Sequence, residues 1–417
     1  MAKLRIATFN VENLFARPPS DPPTRSEDKR VGMFQFDDPV EARQVRRFNE
    51  AAQSDDNRQL TAQAIIDTDA DFIALQEVDN EAALRLFRDE YLHKTLTAKI
   101  SAEIKREMPW LKGAAEPSAD TSGQNSGSNG GPTLRDELSK LRHTLEGRYY
   151  YPNLRVVEGN DFRGIDVGFL SRRRILRVTS HAHVSYRDFG LWNDALRQAI
   201  EAERSRYSDD RPSLRPNPDD RVFRRDCLEV DVDAGDGKMA TVFLCHFKAN
   251  PPSRDATYPI RLAEATAVRR IVERRYGRDL AHANWIITGD LNDYAEIDGS
   301  ALMPDLMTGR MLASALEPLV GHANNAEPFA FDVNAAITDP LDRWTSYFAR
   351  DDVYCQLDHI LLSPALAAAN PAAVPKILRQ GQPYRAARIR GERYPRVGLD
   401  RPKASDHCPI VIDLVIP

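Results

Sequence analysis

Short apolar runs, rich in β-branched and aromatic residues, recur along this chain, and each meets a polar side chain at one end. Runs of this length and composition predict buried strands. Leu4 to Phe9 stops at Asn10, Asp71 to Leu75 stops at Gln76 and Glu77, and Thr241 to Cys245 stops at His246. Asn284 to Thr288 reaches Gly289 and is followed at once by Asp290, Asn292 and Asp293. Two later runs begin on polar pairs, Asp358-His359 before Ile360 to Leu362 and Asp406-His407 before Cys408 to Leu414. Further strands are expected at Tyr149 to Val157, Ile165 to Leu170, Arg172 to Ser185 and Val222 to Val232. The glycine-bearing stretch Ala234 to Lys238 predicts a hairpin into Met239 to Phe247. Apolar residues return at helical spacing within Pro39 to Thr68, Asn80 to Lys112, Asp194 to Arg206 and Tyr258 to Arg275. Strands mixed with helices in this way predict an α/β fold.

Two stretches interrupt the pattern. Residues near 113–133 are Ser-, Asn- and Gly-rich and cannot bury a core. Residues 187–219 are charged and carry prolines. Both are expected as surface insertions in a single domain spanning 1–417, because the strand pattern on either side belongs to one sheet system. A Pro/Arg-rich loop precedes the final Asp-His pair.

The bulk numbers narrow the function. A chain of 417 residues, 42% hydrophobic, has room for a large core. A net charge of -5 argues against a protein that coats nucleic acid indiscriminately, since phosphate neutralisation drives such binding. Any nucleic-acid contact is then local or metal-assisted. The four cysteines sit in or beside apolar runs with neither metal-ligand spacing nor a disulfide framework, which predicts buried free thiols in a reducing compartment. Met1-Ala2-Lys3 leads directly into the first strand, and no apolar run is long enough to span a bilayer. These features predict a soluble, cytoplasmic protein with no membrane span and no stable protein partner implied.

The polar residues at the strand ends carry the candidate chemistry. An apolar strand has no packing reason to finish on a carboxylate, and burying an unpaired charge is costly, so Glu77 is the foremost candidate metal ligand. Asn10 is a candidate to orient a metal-bound water or a carboxylate. His246 suits proton transfer near neutral pH. Asp290 is a candidate to hold a water or a metal, and Asn292 to donate to an oxyanion. Asp358 and the adjacent pair Asp406-His407 complete the set. If the strands form two sheets packed face to face, all these ends can converge on one rim. Arg163, in the turn between two expected strands, and Lys248, two residues past His246, are candidate phosphate contacts. Trp344, in a polar and aromatic stretch, is a candidate to line a groove where bases or sugars stack. Hard oxygen ligands favour Mg²⁺, with Mn²⁺ or Ca²⁺ as alternatives. The chain has no glycine-rich phosphate loop and no serine or cysteine nucleophile motif.

Six segments in order, Thr8-Phe9-Asn10-Val11, Leu75-Gln76-Glu77, Cys245-His246-Phe247-Lys248, Gly289-Asp290-Leu291-Asn292, Leu357-Asp358-His359-Ile360 and Ser405-Asp406-His407-Cys408-Pro409, resemble the successive motifs of the endonuclease/exonuclease/phosphatase superfamily. That group includes deoxyribonuclease I and exonuclease III. The resemblance implies a four-layer αββα sandwich with two central mixed β-sheets and a divalent-metal phosphoesterase activity. It implies metal binding by Glu77 with Asn10 beside it, and positioning of the attacking water and phosphate oxygens by Asp290 and Asn292. Asp358 then orients His407, while Asp406 matches the aspartate before that histidine and is a second candidate to face a metal. His246 matches the second histidine of the deoxyribonuclease I branch. The inositol-phosphatase branch has Asp-Arg where this chain has Asp358-His359, which makes that substrate class less favoured. The resulting expectation is a metal-dependent nuclease cutting DNA or RNA by in-line water attack with paired histidines. The alternatives are a phosphatase or phosphodiesterase on a small or lipid phosphoester, and a non-catalytic binding protein on the same fold.

Overall fold

The computed structural model describes residues 2–15, 54–107, 139–140, 143–144, 146–147, 149–161, 163–206, 216–251, 253–294, 296–297, 300–301, 314–320 and 328–417. The insertion expected at 113–133 lies outside them, as does the part of the expected first helix before residue 54.

The chain enters through strand β1 (Ala2–Leu14), which keeps pairing beyond its apolar run and past Asn10. Helix α1 (Asp55–Thr68) begins at Ser54, whose side chain accepts from the Asn57 amide, and ends on a left-handed Asp69. Strand β2 (Phe72–Val78) follows. The next helical stretch is divided. Helix α2 (Glu81–Phe87) runs through one π turn at Arg88–Leu92 into α3 (His93–Glu107). Strands β3 (Asn153–Val157), β4 (Asp166–Ser171) and β5 (Ile175–Ser180) lead to helix α4 (Asp194–Arg206). Strands β6 (Cys227–Gly235) and β7 (Lys238–His246) form the expected hairpin, turning at Gly235 and Gly237 with positive φ. Helix α5 (Arg254–Tyr276) precedes strand β8 (Trp285–Asp290). The remaining elements are β9 (Glu296–Ile297), β10 (Ser300–Ala301), α6 (Glu317–Val320), β11 (Phe331–Asp332), β12 (Ser346–Phe348), β13 (Val353–Cys355), β14 (Asp358–Leu362), α7 (Pro364–Ala369), β15 (Lys376–Ile377) and β16 (Ile410–Ile416).

Two mixed six-stranded sheets dominate, ordered β15-β16-β1-β2-β4-β3 and β11-β14-β8-β7-β6-β5, with a small sheet β10-β9-β13-β12 beside them. Alternation along each strand builds the layers. Leu4 and Ile6 of β1, Phe72 and Ala74 of β2, Val242 and Leu244 of β7, Ile286 of β8 and Ile360 of β14 share one buried cluster between the sheets. The opposite faces are covered by helices. Ala7, Phe9, Ile73 and Leu75 pack with residues of α1, α2 and α3, while Phe243, Cys245, Trp285 and Ile287 pack with residues of α5. This is the αββα sandwich implied by the sequence. The segment expected as a surface insertion at 187–219 buries Leu191 and Leu196 in the cluster that holds α5, so its first half is part of the packed helical layer. Its residues 207–215 lie outside the described ones.

Candidate active site at the rim between the sheets

The same alternation places the site. Counting on in steps of two from the inter-sheet positions reaches Asn10 on β1, His246 on β7 and Asp290 on β8, while Asp358 lies two before Ile360 on β14. His246 pairs in register with Asp290 across β7 and β8, and Asp290 with Asp358 across β8 and β14, so three functional groups form one row. Gly289 makes the row possible. Its φ is +133°, and a Cβ there would stand 1.9 Å from the Cys245 carbonyl oxygen, so only glycine lets β7 and β8 approach at this point.

Asp290 is the hub. Its Oδ2 accepts from Asn10 Nδ2 at 3.0 Å and lies 3.5 Å from His246 Nε2 and 3.8 Å from His407 Nε2. Its Oδ1 accepts from the Asn292 amide at 2.9 Å. Asn292 has a left-handed φ of 50°, and its Nδ2 donates to the Phe247 carbonyl at 3.1 Å. Burial, opposed by His407 and reinforced by Asp358, pushes the Asp290 carboxyl up to about 7.

The two histidines are driven in opposite directions. His407 Nδ1 and Asp358 Oδ2 are 2.7 Å apart, which leaves Nε2 facing Asp290. Burial pulls the His407 imidazole down, but the carboxylates of Asp358 and Asp290 outweigh it and raise it well above its ordinary value. His246 is lowered well below its ordinary value, first by burial and then by Arg225, Arg163 and His407. Opposed environments of this kind separate a neutral imidazole from a charged one at the same pH.

Glu77 reaches the rim by a different route. It follows Gln76, which occupies the inter-sheet position and donates to Thr8 Oγ1 at 3.1 Å. The β2–β4 register shifts between Gln76 and Val78, and Glu77 takes φ 66°, so the bulge re-aims its side chain. Its Oε2 accepts from the Asn13 amide at 3.0 Å. Glu12 and Asn13 are also left-handed, with φ 50° and 57°. Three non-glycine residues in this conformation beside one another mark a rim whose backbone is held by its surroundings.

Asp406 is half-buried. Burial raises its carboxyl, yet Lys403 and His407 outweigh that and hold it below the usual range. Ser405 ties this loop to β1, because its Oγ donates to the Asn10 carbonyl at 2.6 Å and accepts from the His407 amide at 3.0 Å.

Three contacts here carry no strand-end signal in the sequence. Buried Glu12 pairs with Arg401 and Lys403, linking β1 to the loop before Asp406. Buried Asp161 pairs with Arg225 at 2.9 Å. Arg225 Nη1 donates to the Phe247 carbonyl at 2.8 Å, the same oxygen that Asn292 binds. The charged triplet Arg224-Arg225-Asp226, lying directly before a buried strand, was the available cue.

Arg163 lies at this edge. Its side chain is 41% exposed and 3.5 Å from Asp161, and the charge of Glu77 acts on it. Two expected substrate contacts are engaged in other ways. Lys248 donates to the carbonyls of Ala249 and Pro251, and its amide donates to Glu264. Trp344 is 4% exposed and lies edge-on to Tyr354 with the Arg379 guanidinium 4.4 Å from its ring centre, so it is core and presents no open face for a base. His359 points to the opposite side of β14 from Asp358, where its Nδ1 meets Asp332 at 2.8 Å and its Nε2 the Asp293 carbonyl at 3.1 Å.

The donor set fits a hard divalent cation. Ligand-capable atoms of Asp290, Asp358 and His407 lie within 4.8 Å of one another. A histidine kept protonated by two carboxylates is a poor ligand, which leaves oxygen donors. Asp358 Oδ1 is buried without a hydrogen-bond partner among the described residues, and the carboxylates of Glu77 and Asp406 line the adjoining rim.

Two face-to-face sheets with carboxylates, amides and paired histidines gathered at one rim define an α/β sandwich with a polar site between its sheets. The chain belongs to the endonuclease/exonuclease/phosphatase family, whose model matches residues 7–407. Members of this family are phosphoesterases and nucleases. Truncated TDP2 from Caenorhabditis elegans is similar in structure, with a TM-score of 0.44 and 11% identity over 99% of this chain and 97% of that one. A family protein from Bacteroides vulgatus gives 0.43 and 13% over 100% of both chains. The human Nocturnin catalytic domain gives 0.43 and 11% over 100% of this chain and 95% of that one. No curated protein sequence matches the chain. Among the described residues no helix is long and apolar enough to cross a membrane.

Proposed function

We propose that this protein is a Mg²⁺-dependent phosphodiester hydrolase, a nuclease that cuts DNA or RNA by in-line attack of water. The observation that carries the reading is the flanking of Asp290 Oδ2 by His246 Nε2 at 3.5 Å and His407 Nε2 at 3.8 Å. Two imidazoles on one carboxylate supply proton transfer and charge stabilisation around a single phosphate.

The residues divide the work. Asp290 takes the proton of the attacking water with neutral His246 beside it, and the P–O bond to the leaving oxygen breaks as the new one forms, the departing oxygen taking a proton from solvent. His407, held charged by Asp358, donates to a phosphate oxygen as negative charge develops. Asn292 is fixed by the Phe247 carbonyl, and Asn10 by the Glu12 amide and Asp290, so neither has to reorganise during the reaction. Glu77 and Asp406 are the residues that would hold the metal, with Asn10 beside them. A bound divalent cation supplies Lewis-acid stabilisation of the phosphate. Arg163, at the same edge, is the proposed contact for an adjacent phosphate.

The test compares products. Purified protein with Mg²⁺ is incubated with an end-labelled oligonucleotide and, separately, with inositol phosphates and lipid phosphodiesters. Chain scission of the oligonucleotide supports the reading. Release of inorganic phosphate or a head group with an intact oligonucleotide assigns the site to a small or lipid phosphoester instead.

A further inference from the structure

Segment 376–403 carries nine Lys and Arg side chains against two acids, Glu392 and Asp400, a net charge of +7 inside a chain of net charge -5. Some of that charge is neutralised locally. Arg385 pairs with Asp400, Arg396 with Asp56, and Arg401 and Lys403 with Glu12. Arg379 and Arg393 donate to main-chain carbonyls, which fixes their geometry, and the charge of Asp342 acts on Arg379. Lys376 and Arg390 are exposed and make no ion pair among the described residues. Arg388 is exposed and lies over the Tyr354 ring at 4.3 Å.

Three of these charges, Arg379, Arg388 and Arg390, line a groove, and Lys376 lies between two residues of its lining, Pro375 and Ile377. A space of about 440 Å³ is bounded by Arg379, Gln380, Arg388 and Arg390 on one side and by 336–338 and Asp342 on the other. Both walls are tied to the proposed catalytic pair. On one side Leu378 N donates to the Pro409 carbonyl, and Gln382 Nε2 donates to the carbonyls of His407 and Ser405. On the other, Asn334, next to the 336–338 wall, donates to the Asp358 carbonyl at 3.5 Å. The segments that form the groove are therefore bonded to the main chain at Asp358 and His407. Tyr384, 57% exposed and with the Arg393 guanidinium 5.2 Å from its ring centre, adds an open aromatic face to the same segment.

A small phosphoester has no use for positive charge spread along such a groove, whereas a polymer does. Guanidinium groups match phosphate geometry, and exposed aromatics beside them stack bases. We propose that this groove is a polynucleotide-backbone surface in which Lys376, Arg388 and Arg390 hold phosphates flanking the one that is cut. The proposal rests on the nuclease reading and names the part of the molecule that makes its substrate a polymer. A membrane surface is the rival, but the stretch between β15 and β16 forms no helix that could lay an apolar face on lipid.

The test is fluorescence anisotropy of a labelled 30-residue oligonucleotide in EDTA across a salt series. It uses the full chain and the triple variant Lys376→Gln/Arg388→Gln/Arg390→Gln. The expected result is at least a ~10-fold loss of affinity and a salt slope reduced by about 2, close to 0.7–0.9 per phosphate contact removed. The charge-preserving variant Lys376→Arg/Arg388→Lys/Arg390→Lys is expected to restore most of the affinity, and melting temperatures confirm that both variants fold. If the wild type cleaves nucleic acid and the triple variant keeps its affinity and salt slope, the groove assignment is overturned and the nuclease reading stands. If the wild type binds no oligonucleotide but binds phosphatidylserine vesicles, both are overturned.

Discussion

Asp358 opens β14 and His407 lies just before β16, 49 positions on, and their side chains meet at 2.7 Å inside the rim between the sheets. The contact helps keep His407 protonated and turns its Nε2 toward Asp290. Replacing Asp358 with Asn keeps the shape and removes the charge. The expected result is a kcat lowered by about 10²- to 10⁴-fold on an oligonucleotide substrate, with a melting temperature close to that of the wild type. A variant with wild-type kcat contradicts the assigned role.

Gly289 is required by contact, not by flexibility. Gly289→Ala puts a methyl group 1.9 Å from the Cys245 oxygen at a φ of +133°. Strands β7 and β8 have to separate, and with them His246 and Asp290. Urea denaturation is expected to show a loss of about 3 kcal/mol or more. A variant of wild-type stability would mean that the row of His246, Asp290 and Asp358 is not packed as described.

Much of this architecture was legible in the sequence, for one physical reason. A strand buried on both faces has no tolerance for a lone polar side chain except at its end, so Asn10, His246, Asp290 and Asp358 announce themselves. Period-two alternation then sends them to one face. Glu77 was legible as a residue but its direction was not, because the bulge that turns it depends on pairing with β4. The pairs Glu12–Arg401 and Asp161–Arg225 join distant segments and leave no local pattern. Trp344 was misplaced for a related reason. Its neighbours read as polar, yet Tyr354 and Arg379 close over it, and β12 and β13 are too short to show periodicity.

That burial gives Trp344 a different signature from a substrate-stacking residue. Trp344→Ala is expected to cost about 3–5 kcal/mol of stability by urea denaturation. Unchanged stability combined with a raised KM for oligonucleotide would restore a role in stacking.

The pH dependence of stability has a component far from the site. His93 stacks on Tyr150 at 4.4 Å, and its Nε2 accepts from the Tyr151 amide. Burial, with help from Arg88, lowers its folded-state pKa to about 4 from an ordinary 6.5. The neutral form is native, so the unfolded chain binds the extra proton. Stability from this group is complete above pH 6.5 and is lost as pH falls toward 4. Urea denaturation across that window is expected to be steeper for the wild type than for His93→Gln. Parallel profiles would contradict the assignment.

The account stands most directly on one experiment, incubation of supercoiled plasmid with purified protein in Mg²⁺ and in EDTA, beside His246→Ala and Asp290→Ala. Nicking is expected in Mg²⁺ and not in EDTA, with a rate lowered by orders of magnitude in both variants and their folds intact. Nicking that survives both substitutions, or an intact plasmid with wild-type protein in Mg²⁺, would contradict it.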